Sequence, residues 1–309
     1  MNGLRDYGER LLKLGTYSFA ARNPLSVLAR QAGLPSNIRL LNGFSIPGRG
    51  VPKTTALSLA RLSFLGAELS SAPAHDRVTW TVSYEAGTVS TPEGLRFALR
   101  SLEPVIFSET FVYGVHFVGP DLTGTVVVDV GAFVGDTALY YAQLGAEVLA
   151  FEPDPTSFQL LQENVRLNPE LSGRVTAYPA AVGPSGTLAI SVGLGGRSGP
   201  FSREGRPQEV RSYSLQEVVD LCPRGRSLLL KADCKGSEFD LVRQPALSRF
   251  DRILVEFSAE RRGETLGTLL GDIEAAGFAV ERVYKHNFAH RALRDNGTVS
   301  AVRRGKPSR

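Results

Sequence analysis

The chain has 309 residues, 42% of them hydrophobic and 21% charged, which is the composition of a folded protein with room for a sizeable core. A formal charge of +4, carried mostly by arginine, permits an anionic partner without requiring one. Two cysteines, Cys222 and Cys234, exclude a disulfide framework and a cysteine-rich metal site. The opening MNGLRDYGERLLKLG lacks the apolar core of a signal peptide, and no apolar run is long enough to span a bilayer. The expectation is a cytoplasmic protein with no membrane partner.

Residues 1–75 read as a helical N-terminal extension. Leu4, Tyr7, Leu11, Leu12 and Leu14 recur at helical spacing between charged residues. Asn23-Pro24 opens a second helix, PLSVLARQAG, which Gly33-Leu34-Pro35 ends. NGFSIPGRGVPK is a punctuated linker, and a third helix runs from Pro52 or Lys53 through Leu69. Residues 76–120 form a hairpin and cap segment. In VTWTVSYEAGTVST, apolar Val78, Trp80 and Val82 alternate with polar neighbours, and Glu85-Ala86-Gly87 turns the chain. Thr91-Pro92 is then expected to cap a short helix through Leu102.

The central stretch is VVVDVGAFVGDTAL, residues 126–139. Its valines suit a parallel strand buried on both faces, Gly131 and Gly135 bracket a tight turn, and an apolar helix follows. This order opens a nucleotide-binding α/β unit. Phe133 stands where a dinucleotide fingerprint needs its second glycine, and no Gly-Lys-Ser/Thr closes the turn as in a P-loop. The next strand, Glu147 to Phe151, ends in Glu152, an acid placed to accept hydrogen bonds from ribose hydroxyls. A nucleoside without phosphates and with a positive charge, S-adenosylmethionine, suits such a turn beside two acids. The glycines and the acid serving only as turn and cap is the competing interpretation.

VDVGAFVGDTAL, AFEPDPTSFQLLQENVRLNP, AAVGPSGTLAI, SYSLQEVV, LLLKADCKGSEFDLV and RILVEF follow one another in that order. This series resembles the FkbM family of class I S-adenosylmethionine-dependent methyltransferases, over roughly residues 102–304. The resemblance implies a Rossmann-like α/β fold: a mostly parallel sheet with an antiparallel last strand, in a domain at residues 121–305. It also implies S-adenosylmethionine as cofactor, held by Asp129, Gly131, Ala132, Phe133, Gly135, Glu152, Pro153 and Ala181. Adenine is expected between Phe151-Glu152-Pro153 and the small-residue turn 179–183. Glu109, Tyr113 and His116 are implied wall residues.

Further along, a helix starts near Thr156 and Asn168-Pro169 closes it; Val175 to Tyr178 is the third strand, and Thr187 to Val192 an extra one. Residues 193–207, rich in Gly, Ser and Arg, read as a loop in which Arg197, Arg203 and Arg206 are candidate contacts for a phosphorylated acceptor. A fourth strand, Ser227 to Ala232, delivers Lys231, Asp233, Cys234, Lys235 and Glu238 at its carboxyl end, where open α/β sheets bind ligands. The family pattern there resembles K-x-D-x-E-G-x-E. Lys231, Asp233, Gly236 and Glu238 match, whereas Lys235 replaces the middle acid and turns the preference toward acidic acceptors. Asp233 is the candidate general base, with Lys231 orienting it or stabilising an oxyanion and Glu238 as a third catalytic candidate. Ion pairing for stability alone explains the same cluster.

RILVEF is the fifth strand, and its Glu256 joins Lys235 as a candidate acceptor ligand. Residues 264–276 read as a helix, followed by two strands with His286 and His290 between them, and no spacing forms a metal site. The expected reaction is O-methylation of a small-molecule or glycan hydroxyl. The rival readings are an RNA methyltransferase, without an aromatic-basic signature to support it, and a non-catalytic cofactor-binding protein.

Overall fold

The computed structural model describes residues 18–72, 79–193, 205–234, 236–258, 264–285 and 296–305. The chain divides into two compact units, Met1–Gly114 and Val115–Arg309. The helix expected over Leu4 to Leu14 lies outside the described residues.

In the first unit, α1 (Pro24–Gln31) starts with proline in its first turn and is followed by a two-stranded antiparallel ladder, β1 (Ile38–Arg39) and β2 (Ser45–Ile46). The next helix, α2, spans Lys53–Phe64 and stops short of Leu69. Gly66 takes φ +106° there, a conformation open to glycine, and frees Glu68–Ser70 to form β3. β3 pairs with β4 (Thr79–Ser83) in a sheet completed by β5 (Thr88–Ser90) and β6 (Arg96–Ala98), in the order β3-β4-β5-β6. The expected hairpin is present as β4 and β5, with Trp80 and Val82 pointing into the core.

The helix expected from Thr91 to Leu102 is reduced to one 3-10 turn at Leu99–Ser101. Gly94, at φ +93°, closes a tight turn in which its N–H donates to the Thr91 carbonyl, and the chain returns along β5 as β6. The helix begins later, as α3 (Pro104–Phe111), where Pro104 fits the first turn. α3 sends Phe107 and Phe111, one turn apart, against Trp80 and Phe97, with ring centroids 4.9–6.4 Å apart.

The second unit is an α/β layer structure. Its elements are β7 (Thr125–Val130), α4 (Asp136–Gln143), β8 (Glu147–Phe151), α5 (Pro155–Leu167), β9 (Val175–Tyr178), β10 (Ala181–Val182), β11 (Gly186–Val192) and β12 (Arg206–Tyr213). They continue with α6 (Leu215–Leu221), β13 (Ser227–Ala232), α7 (Glu238–Val242), β14 (Arg252–Ser258), α8 (Leu266–Ala275), β15 (Phe278–Lys285) and β16 (Asn296–Arg303). Seven strands form the main sheet in the order β15-β16-β14-β13-β7-β8-β9. Every pairing from β14 to β9 is parallel, and β16 alone runs antiparallel, between β14 and β15. β15 carries a bulge between Val280 and Arg282.

The valines of β7 alternate between two cores, as a strand covered on both faces must. Val126, Val128 and Val130 pack with Leu228, Leu230 and Phe239, while Val127 packs with Tyr141, Leu229 and Leu254 on the other face. The chain runs from β7 outward through β8 and β9, then returns to the opposite side of β7 as β13. This reversal opens a crevice at the carboxyl ends of β7 and β13.

β10, β12 and β11 make a separate small sheet. Residues 206 and 207, expected in a loop, open β12, whose register with β11 runs from Val192↔Arg206 to Gly186↔Ser212. Arg197 and Arg203 lie outside the described residues. Among the described residues no helix is long and apolar enough to cross a membrane.

Trp80 is 1% exposed at the centre of the first unit's aromatic cluster. Trp80→Ala is expected to cost about 3–5 kcal/mol of that unit's stability, read as a lower urea midpoint.

Candidate active site

The site begins with the pairing register. β13 lies beside β7 with Lys231 opposite Asp129 and Ala232 opposite Val130, so the two charged side chains leave the same face of adjacent strands. Asp129 is fully buried and Lys231 is 5% exposed. The Lys231 ammonium lies 3.0 Å from Asp129 Oδ1 and donates to the Gly131 carbonyl at 2.9 Å. The second carboxylate oxygen of Asp129 accepts from the Thr137 hydroxyl at 2.7 Å. Burial alone would lower the Lys231 pKa, but Asp129, Asp233 and Asp136 outweigh it and hold the ammonium charged above its ordinary range.

Above this pair the chain turns. Gly131 and Ala132 both donate to the Phe151 carbonyl at the end of β8, and Gly135 donates to the Ala132 carbonyl. Gly131 has φ +76°, and a Cβ there would fall 2.1 Å from the Asp233 backbone oxygen. Only glycine lets the two strand ends approach this closely. Phe133 adopts φ +48°, left-handed for a residue with a side chain, and its N–H donates to Glu152 Oε2 at 2.8 Å.

Glu152 is 6% exposed at the end of β8. Its Oε1 accepts from the Asp154 N–H at 2.8 Å, so each carboxylate oxygen holds one backbone donor. Burial pushes its pKa up to about 8; the Asp154 and Phe133 N–H groups and the Lys231 charge pull it down, while the Asp154 charge adds to the rise.

Pro153 and Pro179 border a groove of 420 Å³ together with Phe158, Gln159, Gln208 and Val210. Ala181 is buried with Ile190, Val192 and Val210 in the small sheet. At the end of β13, Asp233 is half-buried and its N–H donates to the Val130 carbonyl at 2.9 Å. Glu238 is 1% exposed, and its Oε2 accepts from the Gly236 N–H at 2.6 Å. Glu256 is half-buried near the end of β14, one residue beyond Val255, the partner of Ala232.

The geometry thus brings Asp129, Gly131, Ala132, Phe133, Glu152, Lys231 and Asp233 to one crevice. Lys235, His286 and His290 lie outside the described residues. His116 is buried and its carbonyl accepts from the Tyr141 hydroxyl at 3.1 Å. Glu109 and Tyr113 belong to the first unit, where the Tyr113 hydroxyl donates to the Leu65 carbonyl at 2.8 Å. Among the described residues no three metal-ligating side chains cluster. Sequence reasoning passed over Thr137 and Asp154, although Asp154-Pro155 is a recognisable helix start.

Comparison with known proteins identifies the class. The methyltransferase FkbM domain matches residues 129–297, and the chain belongs to that family. It is also similar to Methyltransferase 1 of Beauveria bassiana (strain ARSEF 2860), with 28% identity over 206 residues, 57% of this chain and 80% of that protein. Among solved structures it is similar to a putative S-adenosylmethionine dependent methyltransferase from Listeria monocytogenes, with 11% identity, TM-score 0.41, and 65% and 99% of the two chains covered. Aeropyrum pernix fibrillarin with natively bound S-adenosyl-L-methionine gives 14% identity and TM-score 0.39 over 62% and 72% of the two chains.

Lys231→Met would leave Asp129 buried without its counter-ion. A loss of about 3–5 kcal/mol is expected in denaturant unfolding of the full chain. Gly131→Ala is expected to lose at least about 2 kcal/mol in the same measurement, because the obstacle is backbone and cannot swing aside.

Proposed function

We propose that this methyltransferase takes its methyl group from S-adenosylmethionine and places it on a hydroxyl of a small molecule or glycan. The observation that carries the reading is the buried Glu152 carboxylate, pinned on both oxygens beside a turn where Lys231, a near cation among the described residues, is committed to Asp129 and Gly131. Each oxygen of Glu152 accepts one backbone bond and keeps lone pairs for ribose hydroxyls. Lys231, fixed on Asp129 and Gly131, is not placed to grip a phosphate. Asp129, Asp136 and Asp233 all act on Lys231, an acid-rich surrounding that favours a cationic ligand such as a sulfonium. The residues present therefore fit the cofactor.

When bound, S-adenosylmethionine supplies a methyl group on a positively charged sulfur with a good leaving group, so alignment can provide much of the acceleration. Asp129, Gly131, Ala132, Phe133 and Gly135 shape the turn that holds it, and Pro153 and Ala181 belong to the adenine side. Asp233, at the crevice where the strand order reverses, receives the proton of the acceptor hydroxyl as general base. Lys231 acts through the turn, keeping the Gly131 carbonyl and Asp129 in place, and is a positioning residue. Glu238 holds the backbone at Gly236 so that the segment after β13 keeps its course. Lys235 and Glu256 are assigned to the acceptor, the lysine favouring an acidic one.

The full chain should be incubated with methyl-labelled cofactor and fractionated host extract. Label is expected in small molecules or glycans; label confined to RNA, or no binding of the cofactor in a calorimetric titration, overturns the reading. Asp233→Ala is expected to keep cofactor affinity within about threefold and to lower transfer by about 100-fold or more. Unchanged transfer removes Asp233 from its role.

A further inference from the structure

The side chain of Asp154 takes no part in the reading above, yet the residue is 1% exposed and touches three elements. Its backbone N–H donates to Glu152 Oε1. Its side-chain Oδ1 accepts from the Thr156 and Ser157 N–H groups at 2.9 and 3.1 Å and so caps α5. Its Oδ2 accepts from the Gly193 N–H at 2.7 Å, immediately after β11. Capping needs one oxygen, and asparagine or serine provides it about as well as aspartate. The negative charge and the second oxygen are therefore surplus to the cap. They sit next to another buried carboxylate, that of Glu152, where a like charge is costly.

We propose that Asp154 is a positioning residue for cofactor capture. It anchors Glu152 through the backbone, fastens the end of β11 to the same point, and, as a second buried acid, resists the ionisation of Glu152 until a hydroxyl donor arrives. This rests on the reading that Glu152 receives the ribose.

The charged groups acting on Glu152 are Asp154, which opposes its ionisation, and Lys231, which favours it. Burial opposes ionisation more strongly than either, and the result is a pKa of about 8. Ribose hydroxyls donate to the carboxylate and so favour its ionised form. Cofactor affinity must then rise as the pH climbs through that region and level off above it. Removing the charge of Asp154 makes Glu152 easier to ionise, which moves the inflection to lower pH. Loss of a helix cap alone would not move it.

The test uses the full chain and two variants, Asp154→Asn and Asp154→Ser, both of which retain a capping oxygen. Dissociation constants for S-adenosylmethionine are measured by calorimetry from pH 6 to 9.5, beside the melting temperature of each protein. Both variants are expected to melt within a few degrees of the wild type, with the inflection lower by about half a pH unit or more. An inflection unmoved in a folded variant overturns the proposal. Wild-type binding that does not vary with pH overturns it as well, while leaving the cofactor reading intact. Absence of wild-type binding removes both.

Discussion

The second unit depends on one buried ion pair. Asp129 and Lys231 come from strands that are neighbours in space but distant in sequence, and they meet where the order of strands reverses. A carboxylate enclosed there without an ammonium would carry a large desolvation cost, and so would an ammonium without its acids. Each makes the other tolerable, and the Thr137 hydroxyl and the Gly131 carbonyl take further hydrogen-bonding capacity of the pair. Substitution by a matched apolar pair would relieve that cost, but it would also release the carbonyl that closes the turn. The pair therefore couples the stability of the sheet to the shape of the ligand crevice.

A second chain of contacts runs outward from the first. Phe133 and Asp154 hold the two oxygens of Glu152, and Asp154 in turn holds α5 and the end of β11. All of these bonds are from backbone N–H to carboxylate, which makes them short and directional. The crevice is preorganised by main-chain geometry more than by long, rotatable side chains. Among the described residues it also collects negative charge, with Asp129, Asp136 and Asp233 all acting on Lys231. Such a site favours a cationic ligand before any side chain moves.

Much of this was legible in the chain because it is local. The β-branched run at 126–130, the glycines at 131 and 135 and the acid at 152 lie within one strand-turn-helix-strand unit, and their spacing marks its strand ends and its turn. The commitment of Lys231 was not legible, because its acceptor at Gly131 lies 100 residues away. Similarly, Asp154 escaped notice, because its bond to Gly193 spans 39 residues. The segment after Thr91 misleads for another reason: Thr-Pro is a sound helix start, but Gly94 turns the chain and the edge of β5 offers a ladder to Arg96–Ala98. β12 escaped notice because RPQEVRSY buries only Val210 and Ser212, too few positions to show alternation.

The bulge in β15 has a consequence for how copies of this chain meet. β15 is the outermost strand of the main sheet on that side, and Glu281, Arg282 and Lys285 stand on it in exposed positions around the irregularity. A charged, kinked border is a poor template for a further strand. Self-association that lengthened the sheet from this border would have to strip water from those charges and straighten the kink. The border thus insulates the catalytic layer from fibre-like growth at that end, while the opposite margin is left to β9.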